Sequence, residues 1–186
     1  ALAPACREAL TGQLPADAPE TLAALRQTAE AIKASTAFLV DKRSLIVAYH
    51  IDQGKSGTGR NLAHRPYVRS ALAGSPNLYA ALGGNTLERG IYVAVPVPGD
   101  GAIAGAAVLK IGFAEVDALL QREAGDYALI SPEGVVFASN VPTWLFAIDA
   151  AADRVAAIAK QDRAAPYYVS ERPRRLAELA PDSQGA

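Results

Sequence analysis

The chain has 186 residues, of which 51% are hydrophobic and 20% charged, a balance that supplies one well-packed core and excludes global disorder. Lys and Arg number 18 against 19 Asp and Glu, for a net charge of -1, so no basic surplus exists to follow a nucleic-acid backbone. The one cysteine, Cys6, excludes an internal disulfide and a cysteine metal site, and no apolar run reaches the roughly 18 residues needed to span a bilayer.

Residues 1–19 are rich in Ala and Pro and predict a short helix and a loop. The first residues lack the basic start and long apolar stretch of a signal peptide, and the missing initiator Met suggests a processed protein or a fragment. Pro19-Glu20 opens a helix with proline and an acid in its first turn; Leu22, Leu25, Ala29 and Ile32 follow at helical spacing, with an end expected near Ser35. Residues 37–40 and 45–49 predict a hairpin turned by Asp41-Lys42-Arg43. The stretch from Asp52 to Asn61 carries Gly54, Gly57 and Gly59 and reads as a loop. Pro66 starts a short helix through Leu72, stopped by Gly74-Ser75-Pro76.

Ile91 to Val97 alternates as a strand, with Tyr92 and Ala94 on one face and Ile91, Val93 and Val95 on the other. Ala102 to Phe113 predicts the next strand, on which Ala106, Val108 and Lys110 share a face. Residues 115–123 predict a helix, 127–130 and 135–138 a second hairpin, and Asp149 the N-cap of an alanine-rich helix running to about Gln161. The tail from Arg172 is polar. The expected organisation is an N-terminal segment over 1–19, a ligand-binding domain over 20–148 and a C-terminal helix and tail over 149–186. Hairpin-linked strands with helices beside them define an α+β fold around an antiparallel sheet.

The chemistry concentrates between Arg65 and Tyr92. Arg65-Pro66-Tyr67-Val68, Tyr79-Ala80-Ala81-Leu82-Gly83 and Arg89-Gly90-Ile91-Tyr92 set arginines and tyrosines among apolar runs. A guanidinium is a rigid fork of donors that matches a carboxylate, and a tyrosine adds an apolar wall with one hydroxyl. The set reads as a pocket for a small organic anion. The bland alternatives stand beside it: Arg65 as a surface ion-pair partner, Lys110 on a solvent face, and Tyr67, Tyr79 and Tyr92 as core aromatics.

Other chemistries find little support. Gly54-Lys55-Ser56 ends like a phosphate loop, but Tyr49 holds the place of the required upstream glycine. Gly59-Arg60-Asn61-Leu62 has leucine where a flavin photosensor needs its reactive cysteine. Ser75 and Ser139 lie outside Gly-x-Ser-x-Gly, and His50 and His64, the two histidines, have no carboxylates at ligand spacing, so neither a catalytic constellation nor a metal or cofactor site is expected.

In order, Ala34 to Asp41, Gly59-Arg60-Asn61 leading to Arg65-Pro66-Tyr67, Ala81-Leu82-Gly83 with Arg89-Gly90, Val108 to Ile111, and Gly134 to Ser139 with Pro142-Thr143-Trp144 resemble the extracytoplasmic Cache (PAS-like) sensor domain of C4-dicarboxylate sensor histidine kinases, over residues 21–147. The resemblance implies a central antiparallel sheet of about five strands with a long N-terminal helix and flanking helices. It implies a periplasmic domain of an inner-membrane protein, reached by membrane segments outside this sequence, with a mono- or dicarboxylate ligand and room for a homodimer. The ligand set it implies is Arg65, Tyr67, Tyr79, Leu82, Gly83, Thr86, Arg89, Tyr92, Ala94 and Lys110. Val68 stands where the family has Phe and Ala94 where it has Ser, while Arg65-Pro66-Tyr67-Val68 departs from the Arg-x-Trp-Tyr of amino-acid-sensing relatives. A chemoreceptor or cyclase sensor, and a stand-alone binding protein or enzyme on a PAS-like sheet, are the alternative readings.

Overall fold

The computed structural model describes residues 3–83, 88–131, 134–149, 175, 176 and 179. They fall into two compact units, Ala1–Gly112 and Phe113–Ala186.

The first unit is built on five antiparallel strands in the order β2-β1-β5-β4-β3. These are β1 (Thr36–Asp41), β2 (Ile46–Ile51), β3 (Asn77–Leu82), β4 (Arg89–Pro98) and β5 (Ile103–Gly112). The turn from β1 to β2 places Ser44 in the left-handed region at φ 66°, and Asp41 Oδ1 accepts from the backbone N–H of both Arg43 and Leu45, which locks the hairpin. Further along, Leu39 pairs with Ala48 and Val40 with Ile46, so a bulge skips Val47. Ile46 and Tyr49, three apart in sequence, therefore reach the same face of the sheet.

Both faces are covered. Helices α1 (Pro4–Thr11) and α2 (Pro19–Ala31) pack on one, with Cys6, Ala24, Leu25 and Ala29 against Ala37, Leu39, Ala48 and Ala107. Burial pushes the Cys6 thiol up from its ordinary pKa, in keeping with a small apolar filler. Helix α2 stops four residues short of the expected Ser35. Lys33 turns left-handed at φ 54°, its N–H bonds Glu30 O and that of Ala34 bonds Ala29 O. This is a Schellman stop made without the glycine that would have marked it in sequence.

Helix α3 (Pro66–Leu72) covers part of the other face, burying Tyr67, Val68 and Ala71 against Phe38, Val40, Ala94 and Val108. Its limits are those the sequence predicts. Pro66 supplies a ready-made first turn and forces Arg65 into extended backbone, φ -80°, ψ 121°.

The sequence pattern assigns no element to residues 77–82. They form an edge strand paired along its length with β4, which leaves residues 83–88 as the connection. Pairing with a neighbouring strand overrides the weak strand preference of Ala80 and Ala81.

The second unit holds α4 (Ala114–Leu120), strands β6 (Ala128–Ile130) and β7 (Val136–Ser139), and a 3-10 turn at Pro142–Trp144. Phe137 is its centre, with Phe113 and Phe146 rings each 5.9 Å away. The helix expected from Asp149 to Gln161 lies outside the described residues beyond Asp149 itself. No helix among the described residues is long and apolar enough to cross a membrane.

Candidate functional site

One row of side chains crosses the whole sheet. Ile51 pairs with Thr36, Thr36 with Lys110, Lys110 with Tyr92, and Tyr92 with Tyr79. Directly paired residues point to the same face, so this row lays a threonine, a lysine and two tyrosines side by side. Above it runs the 52–65 loop, stitched to β2 by Ile46 N–H to Arg60 O, Gly59 N–H to Ile46 O, and Leu62 N–H to Ser44 O. These bonds hold Arg60 and Leu62 over the sheet, and the chain then enters α3 at Arg65.

Between loop, helix and sheet lies a small cleft, open to solvent on one side. Of the ligand set implied by the resemblance, Arg65, Tyr67, Gly83, Tyr92 and Lys110 line it. Thr36, Phe38, Ile46, Tyr49, Gly57, Arg60 and Leu62 line it too, and none of these was singled out as a site residue. No Asp or Glu is among the lining residues, whereas three cations are.

Arg65 is the centre of this electrostatic arrangement. It is 5% exposed. Its Nη2 donates to Leu82 O at 3.3 Å, while buried Nε and Nη1 have no acceptor among the described residues. A guanidinium held out of water with unsatisfied donors is costly to the fold and well prepared for an anion. Lys110 is equally buried, with Nζ 3.4 Å from Glu88 Oε2. Its aliphatic stem runs over Gly90: a Cβ there would stand 2.6 Å from Lys110 Cε and 2.7 Å from Cγ. Glycine at 90 is thus the track along which the lysine reaches the cleft.

The tyrosines form the apolar wall. Tyr67 and Tyr92 stack at 4.8 Å, with Tyr79 6.0 Å from Tyr67. Burial, helped by the neighbouring Tyr92, pushes the Tyr67 phenol far above its ordinary pKa; burial also pushes Tyr92 up to about 12, against the pull of Arg65. Both remain neutral hydroxyls at physiological pH. At the rim, partial burial and then the charges of Arg65, Arg60 and Arg69 hold His64 below its usual pKa, a sign of the positive potential there.

The remaining expected site residues are placed differently. Leu82 contributes its carbonyl to Arg65 while its side chain is buried. Tyr79 packs behind Tyr67, and Arg89, half-buried at the start of β4, does not line the cleft. Ala94 is fully buried on the same face as Tyr92, but in the core beneath α3 rather than on the cleft wall. Thr86 lies outside the described residues. Among those described, no group of three or more His, Cys, Asp and Glu could hold a metal.

No family model matches the chain. The ligand-binding domain of the Campylobacter jejuni chemoreceptor Tlp3, solved with 4-methylisoleucine, shares its fold at TM-score 0.56 and 15% identity, covering 75% of this chain and 62% of that one. A sheet in this order, with a cleft under the helix after β2, is the fold of PAS-like sensor domains of the Cache type, as the sequence motifs imply, and the chain is one of them by its likeness to a solved histidine kinase sensor domain. More particularly, it is homologous to the sensor region of C4-dicarboxylate sensors. The sensor domain of the V. cholerae histidine kinase DctB matches at TM-score 0.78 and 28% identity, over 94% of this chain and 68% of that one. The C4-dicarboxylate transport sensor protein DctB of Pseudomonas aeruginosa is 31% identical over 138 residues, 72% of this chain; the chain spans 22% of that protein's length.

Proposed function

We propose that this domain is the extracytoplasmic ligand-binding part of a transmembrane sensor histidine kinase, and that its ligand is a small mono- or dicarboxylate. The observation that carries the ligand class is Arg65: buried, facing a cleft with no acidic lining residue among those described, with Nε and Nη1 lacking acceptors among the described residues. A carboxylate on this guanidinium forms charge-assisted bonds that a neutral ligand cannot match. Lys110 and Arg60 supply further positive charge for a second carboxylate or a polar substituent. Tyr67, Tyr92 and Phe38 hold the carbon skeleton.

The kinase output rests on the relatives at 31% and 28% identity, both dicarboxylate-sensor proteins by name or kinase sensor domains. The chemoreceptor likeness, at 15%, is one of fold. Signalling follows from the two-sided sheet. Strands β1 and β2 contribute Thr36, Phe38, Ile46 and Tyr49 to the cleft and Ala37, Leu39 and Ala48 to the surface under α2. A ligand that favours one arrangement of these strands shifts the position of α2 by its differential affinity for the two states.

The test is a thermal-melting screen with small mono- and dicarboxylates, each beside its neutral amide. A carboxylate at about a hundredfold its dissociation constant should add about 2.7 kcal/mol of stability, and its amide almost none. Equal shifts with acid and amide, or none with any carboxylate at millimolar concentration, would contradict the reading.

A further inference from the structure

The two buried cations of the cleft are not equivalent. Arg65 has donors without an acceptor among the described residues, whereas Lys110 Nζ has Glu88 Oε2 at 3.4 Å. The glutamate reaches in from outside: its side chain is 71% exposed and that of Lys110 6%. Its position is nevertheless fixed, since Glu88 O accepts from Gly83 N–H at 2.9 Å and clamps the base of the β3–β4 connection. Glu88 also lies on the Gly90–Tyr92 side of the strand, two residues before the glycine over which the lysine stem runs. It reaches Lys110 where the inner cleft meets an outer one: Lys110 and Thr36 line both, and Glu88, Asp52 and Gln53 line only the outer.

Taking the small-carboxylate reading as its basis, we propose that Glu88 is a specificity-determining residue, a tethered carboxylate that competes with the distal carboxylate of a ligand for Lys110. A monocarboxylate engages Arg65 and leaves the Glu88–Lys110 pair intact. A dicarboxylate long enough to reach Lys110 must first turn Glu88 out to solvent and then tolerate its negative charge nearby. Because Glu88 is mostly exposed, displacement is cheap, and the residue tunes the ratio of dianion to monoanion affinity rather than forbidding the dianion.

The experiment is calorimetric titration of the native domain and Glu88→Gln with succinate and with butyrate, which share a four-carbon chain and differ in the second carboxylate. The proposal expects Glu88→Gln to tighten succinate roughly three- to fivefold, the scale of an exposed ion pair, with butyrate changed by less than about twofold. In a Lys110→Gln background the same substitution should leave the succinate-to-butyrate ratio where it was, which a general charge effect would not do. An equal gain for both ligands, no gain for succinate, or a gain that persists without Lys110 would overturn the proposal while leaving the carboxylate site intact. Failure of the native domain and of Glu88→Gln to bind either probe would overturn both. Melting curves of each variant confirm folding.

Discussion

The two faces of the five-stranded sheet are made from alternate residues of the same strands, yet they are opposites. Under α1 and α2 the contacts are alanines with Leu25, Leu39, Val97 and Cys6, close-packed and apolar. Beneath α3 and the 52–65 loop, the same strands present Thr36, Tyr92 and Lys110 to a buried arginine. Strand β1 changes from Ala37 and Leu39 to Thr36 and Phe38 simply by parity, and β5 from Ala107 to Val108 and Lys110. One face is complete as folded. The other holds Arg65 with two buried donors unsatisfied among the described residues, a cost that the proposed anion would offset. Stability and recognition are thereby assigned to opposite sides of one element, and mutations should separate them.

The largest effect belongs to the packed face. Leu39 has no exposed surface, so Leu39→Ala should cost about 3 kcal/mol in chemical denaturation while the folded fraction keeps its ligand affinity. A matching loss of affinity would mean the two faces are not separable.

Alkaline pH probes the tyrosine wall. The Tyr92 phenol, raised from 10.0 to about 12, favours the folded state fully below pH 10. That contribution fades as the unfolded chain ionises above pH 10 and is gone once pH passes about 12. Melting temperature should therefore fall more steeply above pH 10 in the native domain than in Tyr92→Phe. Parallel curves would place Tyr92 in water.

Gly90→Ala tests the lysine track. The new Cβ collides with the stem of Lys110, so affinity for a dicarboxylate should drop about tenfold, or about 1.4 kcal/mol, with a smaller change for a monocarboxylate. Calorimetry with both ligand types reads the difference.

The smallest change is expected at Ala94. Its cross-strand partner Asn77 carries a buried Oδ1 without a donor among the described residues, so a hydroxyl at 94 finds an acceptor there. Ala94→Ser should alter stability by about 1 kcal/mol or less and leave ligand preference unchanged. A changed preference would bring residue 94 to the ligand, as the family resemblance implies.

What could be read from sequence follows how local each signal is. Helix α3 was legible to the residue because Pro66 and Gly74-Ser75-Pro76 bracket it. The face carrying Val108 and Lys110 followed from strand parity. Tyr49 was hidden because the bulge at Val47 breaks that parity, and no composition signal announces a bulge. Thr36 was hidden for another reason: its place beside Lys110 depends on β1 pairing with β5, a contact across most of the unit. Strand β3 went unassigned because its alanines carry no strand signal without β4 alongside. Arg60 was visible as part of a motif, but its position at the cleft comes from hydrogen bonds to Ile46 and Gly57.

The most direct test of the anion site is a calorimetric titration of the native domain and Arg65→Ala, side by side, with the carboxylate that most raises the melting temperature. Removing a buried, charge-assisted partner should cost about 2–5 kcal/mol of binding. The melting temperature of the unliganded variant should stay level or rise, because a buried charge whose Nε and Nη1 lack acceptors among the described residues has been removed. Unchanged affinity in a folded Arg65→Ala variant would contradict the account.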